Sequence, residues 1–201
     1  MAAIFEVGTR FLSVGFDDSN HIGAVKAEIN SAVFSFYPED RVIRKHPNRR
    51  KYNETEQWLQ AEGRNYRYTV LTGSQLIGRQ GRYKSTNLPF AAPFLVRDYL
   101  ASLPESERQR IAGLGLYFDG RISEDDTAAL KFCFRDFFNL EIAAFIKKSK
   151  SGRNIKSSKR FFCPEVVYRA DTLASNLFRA LHSLEGVNLA DLVNDPLFVR
   201  I

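Results

Sequence analysis

The sequence predicts an α+β fold, a mixed β-sheet with helices packed on it mainly from the C-terminal half. Three observations predict it. Stretches of the first 72 residues alternate apolar and polar positions and are rich in β-branched and aromatic residues, as half-buried strands are. Later segments place apolar residues at helical spacing, most plainly Leu173, Leu177, Leu181 and Leu184. Finally, 17 Phe and 8 Tyr within a 44% hydrophobic composition supply enough apolar surface for a core without metal or disulfide. With no internal repeat and no linker-like stretch, the 201 residues read as a single domain, 1–201.

The elements follow in order. Ile4–Phe16 and Val25–Tyr37 are expected as strands, with a turn at Asp17-Asp18-Ser19-Asn20 and Gly23. Tyr37 to Lys51 is expected as a polar loop, because Pro38 and Pro47 oppose regular structure. Asn53 caps a short helix through Glu62 that Gly63 ends. Tyr66–Thr72 is a strand and Gly73–Asn87 a glycine-rich basic loop. Pro89–Leu103 reads as an apolar helix interrupted at Pro93, and Pro104 starts a short polar helix. Leu114–Phe118 is a buried strand. Ser123 opens an acid-led, aromatic-rich helix to about Phe138. Leu140–Ile146 and Arg160–Tyr168 are expected as a hairpin around a long basic tip. The leucine helix ends at Gly186, Asn188–Asn194 is a last short helix, and Leu197–Ile201 is an edge strand.

Apolar runs such as Leu88–Val96 are far too short to span a membrane. The first residues have neither the basic nor the apolar region of a secretory signal, so a cytoplasmic location is expected. Cys133 and Cys163, each set among aromatics, read as free thiols. The three histidines have no ligand spacing, so no metal and no cofactor is expected.

The formal charge of +6 is unevenly spread. Arg41–Tyr52 holds six Lys or Arg and no acid; Gly63–Arg97 holds six and no acid; Lys147–Arg160 holds seven in fourteen. The acids gather in Glu54–Glu62, Pro104–Glu107 and Arg121–Asp126. Segregation of this kind gives the molecule a positive side.

Chemical motifs are sparse. Gly73–Gln80 has the glycine spacing of a phosphate loop, but Arg79 and Gln80 stand where Lys and a hydroxyl are needed. Gly113, Gly115 and Gly120 miss dinucleotide spacing. Asp17-Asp18 and Asp125-Asp126 are paired acids of the kind that hold magnesium, yet a turn and a helix start explain them. Without a nucleophile motif, catalysis is not expected.

The segment Val14-Gly15-Phe16-Asp17-Asp18-Ser19-Asn20 followed by Lys26 resembles the first phosphate loop of ParM-type bacterial actin-like proteins. Tyr68-Thr69-Val70 and Gly113-Leu114-Gly115-Leu116 resemble later strands of that family's N-terminal lobe, so the likeness covers about the first 135 residues. It implies a nucleotide-binding lobe with Asp17 and Lys26 at the phosphates. Ser19 replaces the family's glycine, the spacing to Lys26 is stretched, and no second phosphate loop follows.

The basic segments carry the stronger expectation: a non-catalytic nucleic-acid-binding protein, such as a subunit of a ribonucleoprotein or of a mobile-element assembly. Arg44, Lys45, Arg49, Arg50 and Lys51 would grip phosphates from one loop. Arg79, Arg82, Tyr83 and Lys84 would do so from a second, with Tyr83 able to stack. Lys147, Lys148, Lys150, Arg153, Lys156, Lys159 and Arg160 form the third. Cations interleaved with rings suit RNA or single strands better than duplex DNA. Other protein subunits are further expected partners, and docking on an acidic protein is the remaining alternative.

Overall fold

The computed structural model describes residues 10–19, 27–36, 42–43, 63–72, 75, 87–119, 122–139, 142–149, 163–183 and 194–201. The fold is α+β. Strands β1 (Arg10–Ser19), β2 (Ala27–Ser35), β4 (Tyr66–Thr72), β5 (Ile111–Asp119) and β6 (Ile142–Ser149) form a five-stranded sheet in the order β4-β2-β1-β5-β6. β2 is antiparallel to β1 and β4, whereas β5 is parallel to β1 and β6 to β5. A second, two-stranded sheet pairs β3 (Val42–Ile43) with β7 (Cys163–Pro164). The helices are α1 (Asn87–Ser102), α2 (Glu105–Arg108), α3 (Glu124–Phe132) and α4 (Glu165–Ser183).

Both faces of the central sheet are covered. Leu12, Val14 and Phe16 of β1 point to one side, where Leu88, Ala91, Ala92, Leu95, Val96 and Tyr99 of α1 and Leu130 of α3 close the main core. On the other side Ile29, Val33, Tyr66, Tyr68 and Val70 pack against Ala170, Leu173 and Leu177 of α4. The alternation of side chains along each strand feeds both cores from the same segments. At Gly15 the chain of α4 rides directly on β1, since a Cβ there would lie 2.1 Å from the Val166 carbonyl oxygen.

α1 is locked to β4 by Arg67, whose buried guanidinium donates to Asp98 Oδ2 at 2.5 Å, to Ser102 Oγ at 2.6 Å and to two backbone carbonyls. It also lies 5.4 Å from the centre of the Tyr99 ring. α3 starts as its sequence predicts: Ser123 Oγ accepts from the Asp126 N–H at 3.0 Å, and Glu124, Asp125 and Asp126 occupy the first turn. A π-helical stretch, Cys133–Phe137, follows it. Cys133 is a free thiol.

Four expectations are corrected. Asp17, Asp18 and Ser19 do not form a turn: they extend β1, paired with Ser31, Asn30 and Ile29. Pro93 does not interrupt α1, which is continuous from Asn87 to Ser102. Proline removes one hydrogen bond, and the buried apolar face on the sheet outweighs that loss. Among the described residues, Leu140–Ile146 and Arg160–Tyr168 do not form a hairpin. β6 instead runs parallel to β5, Cys163–Pro164 pairs with β3, and Glu165 already begins α4. Lastly, Leu197–Ile201 makes only a single bridge, Tyr68 to Phe198, along the outer edge of β4. That bridge is held by Tyr68 N–H to Leu197 O at 3.2 Å and Val199 N–H to Tyr68 O at 2.8 Å. The helix expected at 53–62, and all of the one expected at Asn188–Asn194 except Asn194, lie outside the described residues. Among the described residues no helix is long and apolar enough to cross a membrane.

Candidate nucleic-acid interface

The strand directions define one edge of the molecule. Because only β2 runs the opposite way, β1, β4, β5 and β6 all end on the same side, and β2 begins there. In open α/β sheets this carboxyl edge, at the point where strand order reverses, is where ligands sit. Here the order reverses between β1 and its parallel neighbour β5. α1 also starts at this edge, since Asn87 Nδ2 donates to Glu28 Oε2 at 2.7 Å near the beginning of β2.

The basic residues named from the sequence relate to this edge through chain connections. Lys147 and Lys148 lie within β6, not in a loop beyond it, close to its end on the carboxyl edge. Arg44, Lys45, Arg49, Arg50, Lys51, Arg79, Arg82, Tyr83, Lys84, Lys150, Arg153, Lys156, Lys159 and Arg160 lie outside the described residues. Two of these segments are flanked in sequence by described residues that pair. Ile43 pairs with Cys163 and Val42 with Pro164. Arg44 is the next residue after Ile43, and Arg160 is three before Cys163. The β3–β7 pairing itself joins residues more than a hundred apart in sequence.

The edge also carries acids. Phe16 pairs with Phe118, their rings stacked at 4.5 Å, so the next residues of the two strands, Asp17 and Asp119, stand side by side on the face covered by α4. Asp17 is buried, and its carboxyl is pushed well above the usual carboxylate range. Burial is the main cause, followed by repulsion from Asp119, from Asp171 on α4 and from Asp18. A hydrogen bond from the Asp18 N–H at 2.9 Å opposes the shift. Ser31 Oγ donates to the carbonyls of both Asp17 and Ala170, each at 3.2 Å, which fixes α4 over this point.

Asp18 faces the other side of the sheet. Its cross-strand partner Asn30 is fully buried, with neither side-chain polar atom hydrogen-bonded. Among the described residues no three of His, Cys, Asp and Glu are grouped so as to hold a metal ion unaided.

Sequence reasoning singled out Asp17 but not Asp119 or Asp171. One signal was available: Gly15-Phe16-Asp17 and Tyr117-Phe118-Asp119 both end an apolar strand in Phe-Asp. Asp171 had no such mark, because nothing local distinguishes a helical acid that faces a sheet from one that faces water.

No protein-family model and no curated protein matches this chain. The functional reading therefore rests on the site alone.

Proposed function

We propose that this protein binds nucleic acid, with RNA or single strands favoured, along the carboxyl edge of its sheet. The observation that supports it most is the β3–β7 pairing, which joins strand residues that border the basic runs Arg44–Lys51 and Lys147–Arg160 in sequence. Each Lys or Arg set against a phosphate releases condensed counterions, so two clustered runs favour one polyanion over scattered small anions. The Arg79–Lys84 run belongs to the connection from β4 to α1, and both of those elements meet the carboxyl edge.

Fluorescence anisotropy with labelled single-stranded oligonucleotides tests this reading. Charge reversal at Arg44 and Lys45, or at Lys159 and Arg160, should each weaken binding, as expected for one shared surface. Poly-glutamate displacing the oligonucleotide at equal charge concentration would indicate an acidic protein partner instead. Absence of any binding at low salt would exclude the proposal.

The burial of Asp17 favours a second reading, in which the bound phosphodiester is also a substrate. A carboxyl kept from ionising by burial, and then by neighbouring acids, is eased by a cation, and a strand passing this edge would bring phosphate oxygens to share a divalent ion with Asp17 and Asp119. Magnesium-dependent cleavage that is lost in Asp17→Asn while binding persists would establish this reading. Calorimetry with ATP and magnesium separates both from a nucleotide-binding role for Asp17 and Lys26.

A further inference from the structure

We infer that Phe90 is a base-stacking platform, and that it makes the surface selective for unpaired nucleic acid over duplex; this rests on the nucleic-acid reading above. Among the described residues only Phe11, Phe90 and Phe132 are large exposed hydrophobics. Phe11 lies near the start of β1, at the opposite end of the sheet from the carboxyl edge. Phe132 is the last residue of α3, two turns or more from the helix start that follows β5. Phe90 alone belongs to the carboxyl edge, in the first turn of α1 and three residues after Asn87, whose side chain is bonded to Glu28. It is 40% exposed.

Its surroundings suit a base next to a phosphate. The ring is propped by Phe94 one turn on, with centroids 5.6 Å apart and planes inclined at 56°. Arg97 lies over Phe94 at 5.6 Å, so the outer face of the helix presents ring, ring and cation in succession. The chain from Gly63 to Arg97 contains no Asp or Glu, and Asp98, the first acid after it, is engaged with Arg67. A strand that reaches Phe90 therefore meets no carboxylate contributed by residues 63–97. A duplex offers no base face along its length, whereas every unpaired base does. Helical support also costs less ordering on binding than a ring on a loop would.

The test compares anisotropy titrations of a labelled oligothymidylate and a blunt duplex of equal length. Wild type should favour the single strand, and Phe90→Ala should weaken that complex by about tenfold or more with duplex binding unchanged. Phe90→Leu, which keeps apolar bulk without a π-face, should lose as much as alanine, and Phe90→Trp should retain or improve binding. The slope of affinity against salt should be the same in all four proteins, because no charge is altered. Equal loss on both ligands, or full retention by leucine, would overturn the stacking role while leaving the nucleic-acid reading intact. Wild type failing to bind either ligand would end both.

Discussion

Asp17 shows how one side chain couples site to stability. Its folded carboxyl is raised above the unfolded value by burial and by Asp119, Asp171 and Asp18. The native state then holds the proton more tightly than the unfolded chain, so stability from this group is full below the unfolded pKa and is lost as pH rises through the folded one. Asp17→Asn should therefore melt higher than wild type at neutral pH, with the gap closing as pH falls toward about 4. A gap that widens on acidification would mean that Asp17 is held ionised by a cation or a basic group. Asn30 supplies a second case. A fully buried amide with neither polar atom hydrogen-bonded carries a desolvation cost of about 1–3 kcal/mol. Asn30→Val should be neutral or stabilising in chemical denaturation, and a clear destabilisation would show that the amide has a bound water or ligand as partner.

Among the elements, α4 is the one on which the site depends most, because it carries Asp171 and lies over Asp17. Its seat is Gly15, where a Cβ would strike the Val166 backbone. Gly15→Ala should destabilise by at least the about 1–3 kcal/mol typical of overpacking, since backbone cannot rotate aside as a side chain does. Leu173, fully buried under the same helix, should cost about 2–5 kcal/mol on replacement by alanine. Sequence periodicity found this helix through its leucines but began it too late, because Glu165–Ala170 reads equally well as strand. Tyr66–Thr72 was legible to the residue, as its alternation, its aromatics and the following glycine all agree. The short β3–β7 pair was not legible: two residues leave no period, and their partnership is set by tertiary packing. The basic runs of the proposed interface are read from charge alone, whereas Asp119 and Asp171 became visible only when strand register and helix docking placed them beside Asp17.

For the whole molecule, the expected outcome is a binding surface governed by electrolyte. Six phosphate contacts would lower affinity roughly a thousandfold between about 50 and 200 mM salt, so a titration across that range measures how many basic residues engage. A flat response would point to an interaction dominated by stacking or by protein contacts. The sheet has its own architectural asymmetry. β1 pairs with β2 residues about 10 to 22 positions on, but with β5 residues just over a hundred on, and Tyr68 meets Phe198 after 130. Closing such loops costs entropy before any contact rewards it, so local pairings are expected to form first. On a ribosome the β1–β2 ribbon can be complete while the far flank of β4 still waits for residues 197–199. Until they arrive, that strand exposes an open ladder to any neighbouring nascent chain. The bridge at Phe198 is then less a decoration of the finished fold than the step that closes its window for misassembly.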